Sequence, residues 1–339
     1  LGTGIATRCS YGDPVLIETK SVLRKAEEIL GRETLVLEDE VLSAYVLSFL
    51  EKRDAFMDCC RRNETPLYVF DRRALLDRAR KFTAAFEEEI PGFRAFFAMK
   101  SNNLPAVSRC LVEFGLGLDV SSGRELDVAL GAGCKDILFS GPGKTTAELE
   151  KAVHSRDRVT LLLDSFGELE RLEQVAAPRG GAVRAGVRLT TEEEGLWRKF
   201  GIRLADLDRF LDKAEGLEHV NLCGLQFHTS WNLDPGAQVA FLHRLGEQIG
   251  SLNQDRRKAL EFLDMGGGFW PPLGEWVHFP GTPEGRIVQS VLPHIRPQEH
   301  YRLPSQSIDS FARRIAQGLR KCIFPHVKCR VLAEPGRWL

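Results

Sequence analysis

The feature that most constrains this chain is a succession of eight short apolar or β-branched segments, each stopped by turn residues and followed by a stretch with helical spacing. They are RAFFAMK (94–100), LDVSS (118–122), ILFSG (137–141), VTLLLDS (159–165), VRAGVRL (183–189), LCGLQFHT (222–229), EFLDMGGG (261–268) and CRVLAEPG (329–336). Strand followed by amphipathic helix, repeated, is the pattern of a parallel sheet covered by helices. Eight such units in roughly 240 residues suit a closed (β/α)8 barrel of the TIM type better than an open doubly wound sheet.

A ninth run, PLYVFD (66–71), precedes the set and belongs either to the barrel or to another sheet. Residues 1–65 are more charged and read as an N-terminal helical extension, with 66–339 as the barrel. The connection from Phe269 to Pro304 is rich in Pro and Trp and longer than an ordinary barrel loop, which marks it as functional or mobile.

Charge and cysteine content narrow the function. Lys plus Arg number 46 against 47 Asp plus Glu, which gives no electrostatic case for nucleic acid or an anionic membrane, so the expected partner is a small molecule or another protein. The 8 cysteines show no CxxC pair, as expected of reduced thiols in a cytoplasmic protein. No apolar run approaches the ~20 residues that span a bilayer.

In a barrel of this type, chemistry collects at the carboxyl ends of the strands. There the sequence places Lys100, Asp119, Ser122, Gly141 to Lys144, Asp164, Arg188, His228, Gly266 to Gly268, and Glu334 to Arg337. Each has a plainer reading: a lysine leaving the core, a structural histidine, a flexible glycine turn, an Asp164 that caps the next helix. GPGKTT (141–146) fails as a phosphate loop, because the glycine required five residues before Gly143 is Leu138. The His and Cys positions show no metal-ligand spacing, and no GxSxG elbow occurs. Taken together, an amine, glycine amides, an arginine, a flat histidine and a carboxylate meet the needs of a phosphorylated, aldehyde-bearing aromatic cofactor, pyridoxal 5'-phosphate.

The motifs also resemble a family. FFAMKSNN, FGLGLDVSSGREL (114–126), GLQFH (224–228), LDMGGGF (263–269) and AEPGR (333–337) follow the order found in pyridoxal-phosphate decarboxylases built on an alanine-racemase-like barrel, and GLGLDVSSGREL looks more like the diaminopimelate than the ornithine branch. The resemblance covers about residues 66–337 and implies an imine between Lys100 and the cofactor, and His228 stacked on its ring. It implies Gly266, Gly267, Gly268 and Arg337 on the phosphate, Glu334 at the pyridine nitrogen, and Asp119 and Arg188 nearby. Lys100, His228 and Glu334 are the expected catalytic residues. The implied reaction is α-decarboxylation of a diaminopimelate-, lysine- or ornithine-like amino acid. A racemase, or an inactive relative that binds the cofactor, is the alternative; an arginine in place of Glu334 would suit a racemase better.

Two departures qualify the transfer. The family follows its histidine with x-G-S, whose serine binds phosphate, whereas HTSW puts Ser230 and Trp231 there, so Ser230 is the candidate one residue early. The resemblance also implies a C-terminal β domain beyond Leu339, to whose sheet PLYVFD would belong, and a homodimer with shared active sites. Strand eight is followed by almost no sequence from which a closing helix could form, which is a further reason to expect a longer natural chain.

Overall fold

The structure, a computed structural model, describes residues 35–192, 196–277, 289–293 and 301–339. Within it, eight parallel strands close into a barrel: β1 (Arg94–Ala98), β2 (Gly117–Val120), β3 (Ile137–Phe139), β4 (Val159–Leu163), β5 (Val183–Leu189), β6 (Val220–Phe227), β7 (Phe262–Asp264) and β8 (Arg330–Ala333), with β8 paired to both β7 and β1. All eight expected segments are barrel strands, each ending before the turn residues that follow it.

Side chains alternate across the barrel wall, as a pleated strand requires. Ala95, Phe97, Leu118, Val120, Ile137, Phe139, Leu161, Leu163, Leu263 and Val331 join the large core between strands and helices. Phe96, Leu138, Leu162, Phe262 and Leu332, with Cys223, form a separate apolar plug inside the barrel. Glycine makes room for the plug. A Cβ on Gly186 or Gly224 would overlap the Phe262 ring. At the same place β6 carries a bulge, because Ala185 pairs with Leu222 but Gly186 with Gly224, leaving Cys223 over.

The covering helices are α1 (Arg72–Glu89), α2 (Pro105–Phe114), α3 (Gly123–Gly131), α4 (Thr146–His154), α5 (Phe166–Ala176), α6 (Leu207–Glu215), α7 (Gly236–Ser251) and α8 (Ile308–Cys322). Ser122, Thr145, Ser165 and Ser307 cap α3, α4, α5 and α8 by accepting a backbone N–H of the first turn. Asp164 is therefore not the cap of α5. The gap expected behind strand eight is filled from the other end of the chain: α1 precedes β1 and lies between α8 and α2. Its Phe82 and Phe86 pack on Phe93, Phe269 and Trp338, and its C-terminal Glu89 pairs with Arg320 at 3.1 Å.

By its contacts the chain divides into two units, 1–69 with 274–304, and 70–273 with 305–339. In the first, Leu35–Val36, Tyr301–Leu303 and Glu275–Val277 make a small antiparallel sheet, and the helices Asp39–Leu50 and Arg53–Arg62 bury no residue. Part of the long connection after Phe269 therefore belongs to this unit, while 278–288 and 294–300 lie outside the described residues. Pro66–Asp71 is not a strand: Tyr68 is fully exposed, and among the described residues no strand lies alongside. Asp71 instead caps α1 through Ala74 N–H.

The close approach at β6 yields a stability test. Gly224→Val should destabilise the fold by about 1–3 kcal/mol through overpacking against Phe262. Adding Phe262→Leu should recover part of the loss in chemical unfolding; additive effects of the two substitutions would contradict the inner packing.

Candidate active site

One pleat above the apolar plug the inward positions turn polar. Asp119 on β2, Ser140 after β3, Gln226 on β6, Asp264 on β7 and Glu334 after β8 are all buried at the carboxyl end of the barrel. Lys100 lies in the turn Met99–Ser101 that ends β1, with 48% of its side chain exposed, so its amine is both reachable and held. Its Nζ is 3.5 Å from Asp119 Oδ2 and 3.9 Å from Glu334 Oε2. The amine at the end of so apolar a strand is there because two fully buried carboxylates face it. Burial works against its charge, but Asp119 and then Glu334 raise its pKa above the ordinary lysine value.

The three carboxyl groups divide the protons. Burial and the nearby Glu334 push Asp119 up to about 7, although Lys100 and the Ser140 hydroxyl, which donates to Asp119 Oδ1, oppose the shift. Burial, then Glu334, push Asp264 well above the carboxylate range, which favours its protonated form. Its Oδ1 accepts the Gly266 N–H at 2.9 Å. Burial also opposes ionisation of Glu334, but Lys100, His228 and the Asp264 hydrogen bond outweigh it and leave Glu334 ionised. Gln226 Nε2 donates to Glu334 Oε1 at 3.1 Å, whereas Glu334 Oε2 is buried and receives no N–H among the described residues. A buried carboxylate oxygen left open in this way is a place for a ligand N–H.

His228 stands beside this group, its Nδ1 3.9 Å from Glu334 Oε2. The Gly267 N–H donates to Nδ1 at 3.0 Å, so the free nitrogen of the ring is Nδ1 and any proton sits on Nε2. Burial, then Lys100, lower its pKa to about 4. The ring is thus a neutral, fixed plate.

The glycine turn is shaped by packing as much as by any ligand. Gly266 and Gly268 have φ of +66° and +85°, and a Cβ on Gly267 would meet the Glu334 carbonyl. Of the three glycine amides expected at a phosphate, those of Gly266 and Gly267 donate here to Asp264 and His228. Gly268 N–H makes no hydrogen bond among the described residues. Arg188 pairs with Asp164 at 3.8 Å and lies over Phe200, and Asp164 accepts the Gly201 N–H at 3.0 Å. Ser230 is half-buried at the rim, and its hydroxyl has no partner among the described residues. Arg337 is exposed and stacks 4.0 Å from the centre of the Trp270 ring.

Gln226, Asp264 and Ser140 escaped the sequence reading. The signal was available for two of them: Gln226 and Asp264 lie two residues before the expected strand-end residues His228 and Gly266, and Ser140 falls within the ILFSG run. Lys144, the rival lysine of GPGKTT, has 1% of its side chain exposed and donates to the Leu162 carbonyl at 2.7 Å and to Glu168 at 3.4 Å. A cleft of about 590 Å³ opens at the amino end of the barrel, but Arg184 and Glu261 on its rim satisfy each other at 2.6 Å.

Residues 76–274, more than half of the chain, match the family model described as pyridoxal-dependent decarboxylase, pyridoxal binding domain. The chain is 30% identical over 228 residues to a diaminopimelate decarboxylase of Bacteroides thetaiotaomicron, covering 62% of this chain and 58% of that one. It is 30% identical over 280 residues to an ornithine decarboxylase of Leishmania donovani, covering 81% and 35%. It therefore spans little more than half the length of the first of these relatives and about a third of the second. A crystal structure of a Helicobacter pylori diaminopimelate decarboxylase mutant complexed with L-lysine superposes with a TM-score of 0.65 at 20% identity, over 83% of this chain and 66% of that one, which is a likeness of fold.

The His228 geometry predicts its titration. With a folded pKa near 4 against 6.5 unfolded, His228 contributes stability that is present above 6.5 and lost as pH falls toward 4. Nitrogen-15 NMR of the ring in the ligand-free protein should show an unprotonated Nδ1 at pH 7 and no titration until about pH 5. A midpoint near 6.5 would refute the Gly267–His228 bond.

Proposed function

The chain belongs to the pyridoxal-dependent decarboxylase family, and on that premise we propose that it binds pyridoxal 5'-phosphate at Lys100 and removes the α-carboxyl group of an amino acid, with a diaminopimelate-, lysine- or ornithine-like substrate. The observation that carries this reading is the buried Glu334 Oε2, which receives no N–H among the described residues and lies 3.9 Å from the half-exposed Lys100 amine. When bound, pyridoxal phosphate supplies a ring that accepts the electron pair left behind by CO₂.

The chain's own residues do the rest. Lys100 Nζ is the attachment point for the cofactor's carbonyl carbon, and Asp119 Oδ2 is the acceptor for the proton that this amine must lose. Asp119 is suited to that exchange by its pKa of about 7. Glu334, kept ionised, offers Oε2 to the ring nitrogen and holds a proton there, which an arginine could not do; this favours decarboxylation over racemisation. Gln226 fixes the other Glu334 oxygen. His228, neutral and pinned at Nδ1, covers one ring face without adding charge. Arg337, Gly268 N–H and Ser230 are the phosphate ligands in this reading, and Arg188 adds positive charge beside the site. The same resemblance assigns a homodimer with shared active sites, and assigns the groups that select the substrate side chain to polypeptide outside this barrel. In the cell the reading places it in the cytoplasm.

Three experiments test it. After incubation with pyridoxal phosphate and borohydride, the pyridoxyl label should sit on Lys100; a label on Lys144 would remove the assignment. The full-length protein, sedimenting as a dimer, should release CO₂ from at least one member of a panel of basic and dibasic amino acids. Glu334→Gln should keep most cofactor affinity yet lose activity by two or more orders of magnitude, roughly the size of an acid–base contribution. Inversion of a stereocentre without CO₂ would favour the racemase.

A further inference from the structure

Trp231 occupies the place where the resembled family has its phosphate-binding serine, and it does so at a cost. Its φ is +61°, the only positive value at a non-glycine residue among those described, and 64% of its surface is exposed. A large side chain in the left-handed region, standing in solvent, has neither a backbone nor a packing reason to be there. Its neighbours supply a different one. The Arg337 guanidinium lies 5.9 Å from the centre of the Trp231 ring and 4.0 Å from that of Trp270. The two tryptophans stand on loops tied together by Asn232, whose N–H donates to the Gly268 carbonyl at 3.0 Å and whose carbonyl accepts the Trp270 N–H at 3.3 Å. Buried Asn232 is itself fixed by Thr229, through Oγ1 at 2.8 Å. Trp270 Nε1 is buried with no hydrogen bond among the described residues. An unpaired indole N–H, an arginine held over its ring and the open Gly268 N–H therefore lie at one edge of the site.

We propose that Trp231 and Trp270 form a clamp that positions Arg337 for the phosphate group of the cofactor, replacing the serine hydroxyl by stacking. This rests on the pyridoxal phosphate reading above and adds to it a positioning role for Trp231 and a donor role for Trp270 Nε1. Stacking holds the planar guanidinium and leaves its edge N–H groups free for an oxyanion.

The strained backbone provides a variant that separates the clamp from the fold. Trp231→Gly relieves the positive φ, so the ligand-free variant should unfold at a temperature no lower than the unsubstituted protein, while Trp231→Phe keeps a stacking face. Titrations would use pyridoxal phosphate, pyridoxal and inorganic phosphate, read by tryptophan fluorescence and by absorbance of the bound pyridoxyl group. In the unsubstituted protein, inorganic phosphate should quench tryptophan emission and compete with pyridoxal phosphate. Trp231→Gly should weaken pyridoxal phosphate by about three- to tenfold, the scale of one cation–π contact, and leave pyridoxal unchanged. Trp231→Phe should stay close to the unsubstituted protein. Equal losses for pyridoxal and pyridoxal phosphate, or an unchanged Trp231→Gly, would overturn the clamp while leaving Lys100 labelling intact. An unsubstituted protein that takes up no pyridoxal phosphate would overturn both.

Discussion

The site depends on one electrostatic constraint: three carboxyl groups, Asp119, Asp264 and Glu334, are fully buried together at one end of a closed barrel. They cannot all be ionised in so small a volume. The structure resolves the conflict with one cation and shared protons. Lys100 faces Asp119 and Glu334, Asp264 is pushed toward its protonated form, and Asp119 is raised to about 7. Lys100 is therefore part of what lets Glu334 stay ionised, and Glu334 part of what holds the Lys100 amine in the mouth of the barrel. Removing either charge would redistribute protons over the whole group.

The barrel supports this arrangement by separating two cores. Outward strand residues meet the helices, while inward ones make a plug of Phe96, Leu138, Leu162, Phe262 and Leu332 beneath the polar layer. The plug keeps the carboxyl cluster from communicating with water at the amino end, which sustains the desolvation that raises Asp119 and Asp264 and lowers His228. Gly186, Gly224 and the bulge at Cys223 fit the plug into a barrel of this size. Closure on the outside depends on α1, whose phenylalanines meet Phe269 and Trp338 next to the glycine turn and the Glu-Pro-Gly-Arg segment. The site's two most crowded loops thus rest on the helix that begins the barrel.

The sequence by itself determined the barrel and most of the site. Eight apolar runs at regular spacing leave few other ways to bury so much β-branched and aromatic surface, and the carboxyl ends of parallel strands converge, so Lys100, Asp119, His228 and Glu334 could be placed together from position alone. Period two also encoded Ser140, Gln226 and Asp264, although they are not distinctive as residue types. Tertiary structure decided what local sequence cannot contain. Which glycine amides are already engaged depends on Asp264 and His228, on strands brought together only by closure. That α1 closes the ring depends on a pairing between segments some 230 residues apart, Glu89 with Arg320, and that Pro66–Asp71 is no strand depends on what lies beside it. The approach of Arg337 to the rings of Trp231 and Trp270 joins three separate loops. Each of these is set by long-range proximity, and proximity is what folding adds to the order of residues.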